Sequence, residues 1–445
     1  MSLLKQAYER IAQLEKEVEQ LKKPKKNSNN SSIPPSKDDN KAKKTQSQRE
    51  KSKRQSGGQK GRKGRNLKSI STPSHIINHD IDWCTHCLEQ LPIEVAQYDS
   101  RQVFDLPPIA IEVTEHRAAI KKCTHCGNKN SASFPEGVTQ KTQYGDRIKA
   151  WTVYLQNYQM LPFSRCSELI LDLSGHKVSQ GSIANFQKNC YGKLEDYQQK
   201  IKDLLLSCPV IHGDETGVKV NGDNHWMHVA SSKYLSIFGY HPKRGKEAMD
   251  DMAILQHYTG TLVHDRFSSY FSYQCSHSLC NAHILRELHY IDEAFEAPWA
   301  IKIKKLLLRA KNKKDKNPNI SASYYSRIYK QYTDLIRPVI INYDKKYKKT
   351  DEQRLAFGLE KHKRLFLKYI KQPQVPFDNN QAERDLRMIK VKQKVSDCFR
   401  STTNAQYFAR IRGYISTVKK NNRPILSEIQ NAFLSNPFIP ILTGE

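Results

Sequence analysis

The chain has 445 residues, with 73 Lys and Arg against 45 Asp and Glu, a net charge of +28. That length allows two to four domains with ample core, and that charge points to a polyanionic partner. No apolar run is long enough to span a bilayer and the first twenty residues are charged throughout, so the sequence predicts a soluble, cytoplasmic chain with neither signal peptide nor membrane partner.

Residues 3–22 repeat apolar side chains in heptads, with Leu4, Ile11 and Val18 in one seam position and Ala7, Leu14 and Leu21 in the other. Residues 1–23 are thus expected to form a zipper helix, stopped by Pro24, that makes a homodimer or higher oligomer. A single amphipathic helix packed on the body is the alternative. Residues 24–70 read as a disordered basic arm. Between Lys22 and Arg65 there are sixteen Lys and Arg against Asp38, Asp39 and Glu50, a contribution of 16 − 3 = +13. Such a segment has too few apolar residues to fold alone, and its cations follow phosphates. Within it Lys60, Arg62, Lys63 and Arg65, spaced by glycines, are the candidate DNA-binding residues.

Of the ten cysteines, four form two CxxC pairs, Cys84/Cys87 and Cys123/Cys126. Four thiolates are the set preferred by tetrahedral zinc, so residues 75–135 are expected to be a zinc-ribbon-like module closed around one structural ion. His86 and His125, inside the pairs, are bystanders. The spacer can hold a β-ribbon, with Val103 and Phe104, then Ile109, Ile111 and Val113 alternating with polar residues.

Residues 140–206 read as helical. Trp151, Tyr154, Leu155 and Tyr158, then Leu169, Leu171 and Leu173, have helical spacing; Gly175 and Ser179 then read as a turn and a cap before a second helix. This is the grammar of a helix-turn-helix, although helical pairs joined at Gly are common without DNA.

Residues 207–290 carry strand signals. Val210 to Thr216 and Thr261 to Arg266 are short β-prone runs ending in Asp214 and Asp265. Hairpin strands are expected at 226–230 and 234–240, around Asn221-Gly222 and Ser231-Ser232, and a helix-to-strand return at 255–264. Residues 291–372 read as a basic helical insertion; 302–316 alone hold eight Lys and Arg and one Asp. Residues 373–445 start with Asp378-Asn379-Asn380-Gln381-Ala382-Glu383-Arg384. Asp378 and Gln381 fit a capping box, and the helix it opens places Asn379, Glu383 and Arg387 on one face. Two strand-end aspartates and a helical Glu suggest three carboxylates on divalent metal, in the element order of an RNase H-like domain. The expected fold class is multidomain α+β, with an RNase H-like α/β catalytic domain carrying the helical insertion. Cys275, His277, Cys280 and His283 match a second zinc site by residue type, but their spacing is too tight to wrap one ion.

The chain resembles transposases of the insertion sequence 66 family over nearly its whole length. The resemblance rests on the N-terminal zipper, Ser31-Ser32-Ile33-Pro34-Pro35-Ser36, Gly58-Gln59-Lys60-Gly61, the double CxxC, Tyr144-Gly145, Asp214-Glu215-Thr216 and, most specifically, Asp378 to Arg384. Arg62 stands where the family's glycine-rich signature usually has His. The resemblance implies a DDE-type transposase that cuts transposon ends and transfers them into target DNA, with Asp214, Asp265 and Glu383 as catalytic triad. Two Mg²⁺ ions, with Mn²⁺ an acceptable substitute, would be held by these three. His283 and Arg286 would neighbour the triad, and Arg384, Arg387 and Lys390 would contact phosphates; Glu215, Asp378 and Asp385 are further acids nearby. The expected partners are double-stranded DNA, further protomers and helper proteins of the same element, in a bacterial nucleoid. A non-catalytic zinc-containing DNA-binding protein and a nuclease without strand transfer are the alternatives.

Overall fold

The computed structural model describes residues 67–442 together with positions 10, 11, 14, 24, 26, 27, 31 and 61. The zipper positions Leu4, Ala7, Val18 and Leu21 and the arm residues Lys60, Arg62, Lys63 and Arg65 lie outside the described residues. Two compact units divide the chain: Ser47–Glu112, and Met1–Gln46 with Val113–Glu445.

In the first unit, a bridge between Trp83 and Gln90 closes the turn that holds Cys84 and Cys87. The ribbon expected in the spacer is not formed: 103–113 contain no strand, and Val103 and Leu106 are exposed. Pro107 and Pro108 interrupt the alternation there. Proline lacks the N–H a ladder needs, so the pattern cannot pair as a central strand.

The second unit opens with an antiparallel hairpin, β1 (Ile120–Lys122) and β2 (Lys129–Ser131), with Cys123 and Cys126 at its tip. Four helices follow: α1 (Asp146–Asn157), α2 (Phe163–Ser174), α3 (Gln180–Lys193) and α4 (Glu195–Leu206). Gly175, in the left-handed region at φ 68°, ends α2, a conformation that costs a residue with a Cβ. The Ser179 side chain accepts from Ser182 N and starts α3. Cys166, Ile170, Val178, Ile183 and Phe186 form a small core between them.

The central sheet has the order β5-β4-β3-β6-β7. Its strands are β3 (Val210–Val220), β4 (Asp223–Ser231), β5 (Ser236–His241), β6 (Thr261–His264) and β7 (Ser276–Leu279). β3, β4 and β5 pair antiparallel, whereas β6 and β7 join parallel to β3. The short run Thr-Leu-Val-His of β6 is buried at every position, as a parallel strand covered on both faces requires. Between β5 and β6 lies α5 (Lys246–Asp251); 255–257 form a turn and 258–260 are irregular, so the helix expected to precede β6 ends earlier than the sequence suggests.

Helices α6 (Asn281–Phe295), α7 (Pro298–Lys316), α8 (Ala322–Ile341), α9 (Asp351–Lys361) and two short turns, α10 (Lys363–Phe366) and α11 (Lys368–Lys371), come next. Ile303, Leu307, Ile328, Tyr332, Ile336, Ala356 and Leu359 give them a core that continues onto Val263 of β6 and Leu279 of β7. The basic face of α7 therefore stands on a buried apolar stripe. The chain then returns to the sheet as α12 (Asn380–Ser396), α13 (Thr402–Lys420) and α14 (Ile425–Phe433). α13 buries Phe408, Ile411, Tyr414, Ile415 and Val418, each worth about 1.5–3 kcal/mol of transfer free energy. Gly413 lets it approach β5, since a Cβ there would meet Ser236 O at 3.2 Å.

Candidate active site

Strand register places the first two carboxylates. Val210, Ile211 and His212 of β3 pair with Thr261, Leu262 and Val263 of β6; Asp265 directly follows β6, two residues past this pairing as Asp214 is on β3, and its charge acts on Asp214. Side chains alternate along β3. Val218 and Val220 pack in the cluster with Ala382, Leu386 and Ile389 of α12, so Asp214, of the same parity, faces the helix that carries Glu383. Glu215 takes the opposite face, accepting from Arg244 Nε (2.9 Å), Arg244 Nη2 (2.7 Å) and Tyr270 Oη (2.7 Å). The Arg244 guanidinium lies between the Trp226 and Phe267 rings.

The three carboxylates feel one another. Burial pushes Asp214 well above the usual carboxylate range, and the charges of Glu215, Asp265 and Glu383 push the same way. Asp265 is raised by burial, opposed by the Phe267 N–H and by Arg244 and Arg266. Burial also raises Glu383; Asp378 and Asp265 add to it, while Arg286 and Arg387 oppose it. Asp265 Oδ1 accepts from Phe267 N at 2.8 Å, whereas Glu383 Oε1 is buried without a hydrogen-bond partner. An unpaired carboxylate oxygen among raised acids is a donor set suited to a hard cation, whose charge would offset both burial and repulsion.

Asn379 joins the two halves of this site. Its Nδ2 donates to Gly213 O (2.9 Å), its Oδ1 lies 2.8 Å from His212 Nδ1, and its backbone N donates to Cys280 Sγ (3.1 Å). The expected capping box is accordingly not formed. Asn379 is the N-cap of α12, without a side-chain cap bond; Asp378 Oδ1 accepts from Asn380 N, and the Gln381 side chain pairs with Asp385 and Arg384. The cap side chain is recruited by a strand far away in sequence, a competition that local pattern cannot reveal.

His283 and Arg286 lie beside Glu383. His283 Nδ1 is 3.9 Å from Glu383 Oε1, too long for a hydrogen bond. Burial, with Arg286 and Arg266, lowers the imidazole to about 3, so it is neutral and the contact is no ion pair. Among the described residues, Cys280, His283 and Glu383 place potential ligand atoms within 4.8 Å of one another. Cys275 and His277 are elsewhere: His277 Nδ1 meets His264 Nε2 at 3.1 Å, and Cys275 packs in a different core. Arg384 and Arg387 are exposed on α12, but Lys390 is bonded to Gly217 O. Asp385 forms a buried pair with Lys420 at 2.8 Å, which takes it away from the other acids.

The two cysteine turns have the same local geometry. Cys84 N donates to Glu89 O and Leu88 N to Cys84 O; Cys123 N donates to Asn128 O and Gly127 N to Cys123 O. Leu88 and Gly127, each following the second cysteine, both have positive φ, at 62° and 75°. Backbone N–H groups of the turn, those of Cys87 and Cys126 first, lower the Cys84 and Cys123 thiols, as a thiolate ligand needs.

A model of the transposase IS66 family matches residues 141–407. The chain belongs to that family. This IS66 transposase also matches, over residues 82–127, the zinc-finger binding domain of transposase IS66, a stretch that spans both CxxC pairs. Residues 1–68 match a family of unknown function. No curated protein matches the chain. Membership makes it a nucleic-acid-processing enzyme with DNA as partner and a structural zinc. No helix among the described residues is long and apolar enough to cross a membrane.

Sequence reasoning missed Arg244, which clamps Glu215, and Asn379 as the link between β3 and α12. Asn379 stood inside the most specific motif of the chain; nothing local marked Arg244.

Proposed function

We propose that this transposase cuts and joins DNA with Asp214, Asp265 and Glu383, in an RNase H-like domain formed by 207–290 and 373–445 and interrupted by the helical insertion 291–372. The observation that carries this reading is that Asp214 on β3, Asp265 just past the end of the neighbouring parallel strand β6, and Glu383 on α12 are near enough for their charges to act on Asp214. The strand order and the mix of antiparallel and parallel pairing support the fold assignment.

The all-oxygen triad fits Mg²⁺ or Mn²⁺ in pairs, which supply charge neutralisation and acidify bound water or hydroxyl when present. Asp214, Asp265 and Glu383 would hold the ions. Asn379 holds the helix and strand so that the triad stays in place. In the first step water adds to phosphorus as the 3′ oxygen leaves, freeing a 3′-OH at the element's end. That hydroxyl then attacks a target phosphodiester and displaces a second 3′ oxygen. Arg384 and Arg387, exposed one turn apart beyond Glu383, are positioned for phosphates. Cys84, Cys87, Cys123 and Cys126 are the proposed zinc ligands. Residues 1–23 would supply protomer contacts, 24–70 and the α2–α3 pair DNA contacts, and helper proteins of the element complete the reaction in the bacterial nucleoid.

The test is cleavage of DNA bearing the element's ends, with and without Mg²⁺, for wild type and Asp265→Asn. Nicking by wild type only with metal, and binding without cutting by the variant, is the expected result. Equal cutting by both would sink the triad; cutting without joining would leave a nuclease.

A further inference from the structure

A cleft of about 420 Å³ opens where α1, α3 and the end of α12 meet, well removed from the carboxylates. The helix rise puts Ser396, on its wall, about 20 Å from Glu383. Three side chains lining it have buried polar atoms without partners: both amide atoms of Gln156, Gln187 Oε1 and Ser396 Oγ. Gln156 and Gln187 are only 2% and 5% exposed. Buried polar atoms rarely remain unpaired, and three amide atoms and a hydroxyl around one opening point to something that pairs with them.

The amides have a defined polarity. Gln187 Nε2 donates to Asn157 Oδ1 at 3.3 Å, which leaves its buried oxygen as an unused acceptor. Gln156 offers a donor and an acceptor side by side. An adenine edge, with an amino group next to a ring nitrogen, satisfies the Gln156 amide twice, and its second amino hydrogen suits Gln187 Oε1. Phe163 and Phe399 supply apolar wall, and Lys394 and Arg400 stand exposed at the rim with one acid, Asp397, between them. Asp397 itself is held at φ 61°, ψ −59°, in a three-residue turn closed by Cys398 N on Ser396 O at 2.7 Å. Such a turn is strained, and Phe399 next to it is pinned by backbone bonds to Lys219 and Asn221 at the end of β3. The rim is thereby fixed to the sheet.

We propose that this cleft receives one unstacked, amino-bearing base of the DNA, adenine being the best match, with Gln156 and Gln187 reading its edge and Lys394 and Arg400 holding its phosphate. At 3.4 Å per step along a strand, about six nucleotides separate it from the carboxylates. The base acts as a fixed point that sets the strand in register with the active site. The inference rests on DNA being the partner, not on the identity of the catalytic triad.

The test uses the full chain with deoxyadenosine monophosphate, its 8-azido derivative for photolabelling, thymidine monophosphate and inorganic phosphate, beside a random-sequence duplex as control. Labelling is expected in the peptide 392–400, displaced by the adenine nucleotide and not by the thymine nucleotide or phosphate. Gln156→Leu should weaken adenine-nucleotide binding about tenfold or more, with thermal midpoint and duplex binding unchanged. If that variant misfolds, Lys394→Ala on the exposed rim replaces it, and the preference for the nucleotide over the nucleoside should fall. Label elsewhere, or equal competition by thymidine monophosphate and phosphate, overturns the proposal and leaves a hydrated cleft. Duplex binding without nucleotide binding overturns it alone; loss of both in wild type removes the DNA partner as well.

Discussion

Asn379 turns its side chain and backbone N to other elements while its carbonyl starts its own helix: the amide meets Gly213 and His212 of β3, the backbone N donates to Cys280 Sγ, and the carbonyl accepts from Glu383 N of α12 at 3.3 Å. Asn379→Ala would strand Gly213 O and His212 Nδ1 in a nearly inaccessible place. The expected cost is about 2–4 kcal/mol by denaturant unfolding, with end cleavage lost. Unchanged stability and cleavage would show that Asn379 does not hold Glu383 in place. The carboxylates themselves give a prediction of opposite sign. Asp214, Asp265 and Glu383 are all raised in the folded chain, so the folded state binds protons more tightly than the unfolded one. Their contribution to stability is complete below the ordinary carboxylate pKa and is lost as pH rises through the folded values. Metal-free Asp214→Asn should therefore melt higher than wild type at neutral pH, on the order of 2 °C, with the gain vanishing toward pH 4. Mg²⁺ should stabilise wild type and not the variant. A lower melting point for the metal-free variant at neutral pH would contradict the mutual repulsion of the three acids.

At the scale of elements, α12, α13 and β5 are tied by one cation. Lys420 Nζ reaches Asp385 Oδ2 at 2.8 Å, Ser236 Oγ at 2.6 Å, and Ser232 O and Leu235 O at 2.9 Å. Both side chains of the pair are about a tenth exposed or less. Lys420→Met would leave Asp385 buried and unpaired, at a cost of about 3–5 kcal/mol. Asp385→Leu added to Lys420→Met should recover most of that loss in a denaturant series, and a double variant as unstable as the single one would refute the pairing. The same neighbourhood shows what was legible in the sequence. Short β-prone runs marked β3 and β6 with their aspartates, Asn221-Gly222 marked the β3–β4 hairpin, and helical spacing marked α13, because each of these signals lies within a single element or turn. Failures came where a distant partner or a proline overrode local pattern. The Asp378–Gln381 box gave way to an N-cap at Asn379, whose side chain holds a strand 166 residues back, Asp385 was one of several neighbouring acids until its lysine was in view, and Pro107 and Pro108 broke an alternation that otherwise read as a ribbon.

For the whole molecule, charge and metal separate into different measurements. Of the net +28, residues 22–65 contribute +13, and DNA affinity should fall steeply with salt because each neutralised phosphate releases counterions. Removing residues 1–66 should flatten the slope of log K against log salt by several units, roughly 0.9 for each phosphate no longer neutralised, while metal-dependent nicking at saturating DNA persists. An unchanged slope would place the phosphate-binding cations on the body of the protein, with α7 and the exposed arginines of α12 as the first places to look. The zinc is tested without DNA. Each CxxC turn has a thiol lowered by backbone N–H groups, and the proposal gives their four sulfurs to one tetrahedral ion. Purified protein should hold about one zinc per chain, and Cys84→Ser or Cys123→Ser should each remove it, since three thiolates and a hydroxyl no longer close the site. Either variant should leave the mutual repulsion among Asp214, Asp265 and Glu383 intact, so the Mg²⁺-dependent rise in melting point of the catalytic domain should survive. Retention of a full zinc by both variants would mean that the two CxxC turns do not act as one site.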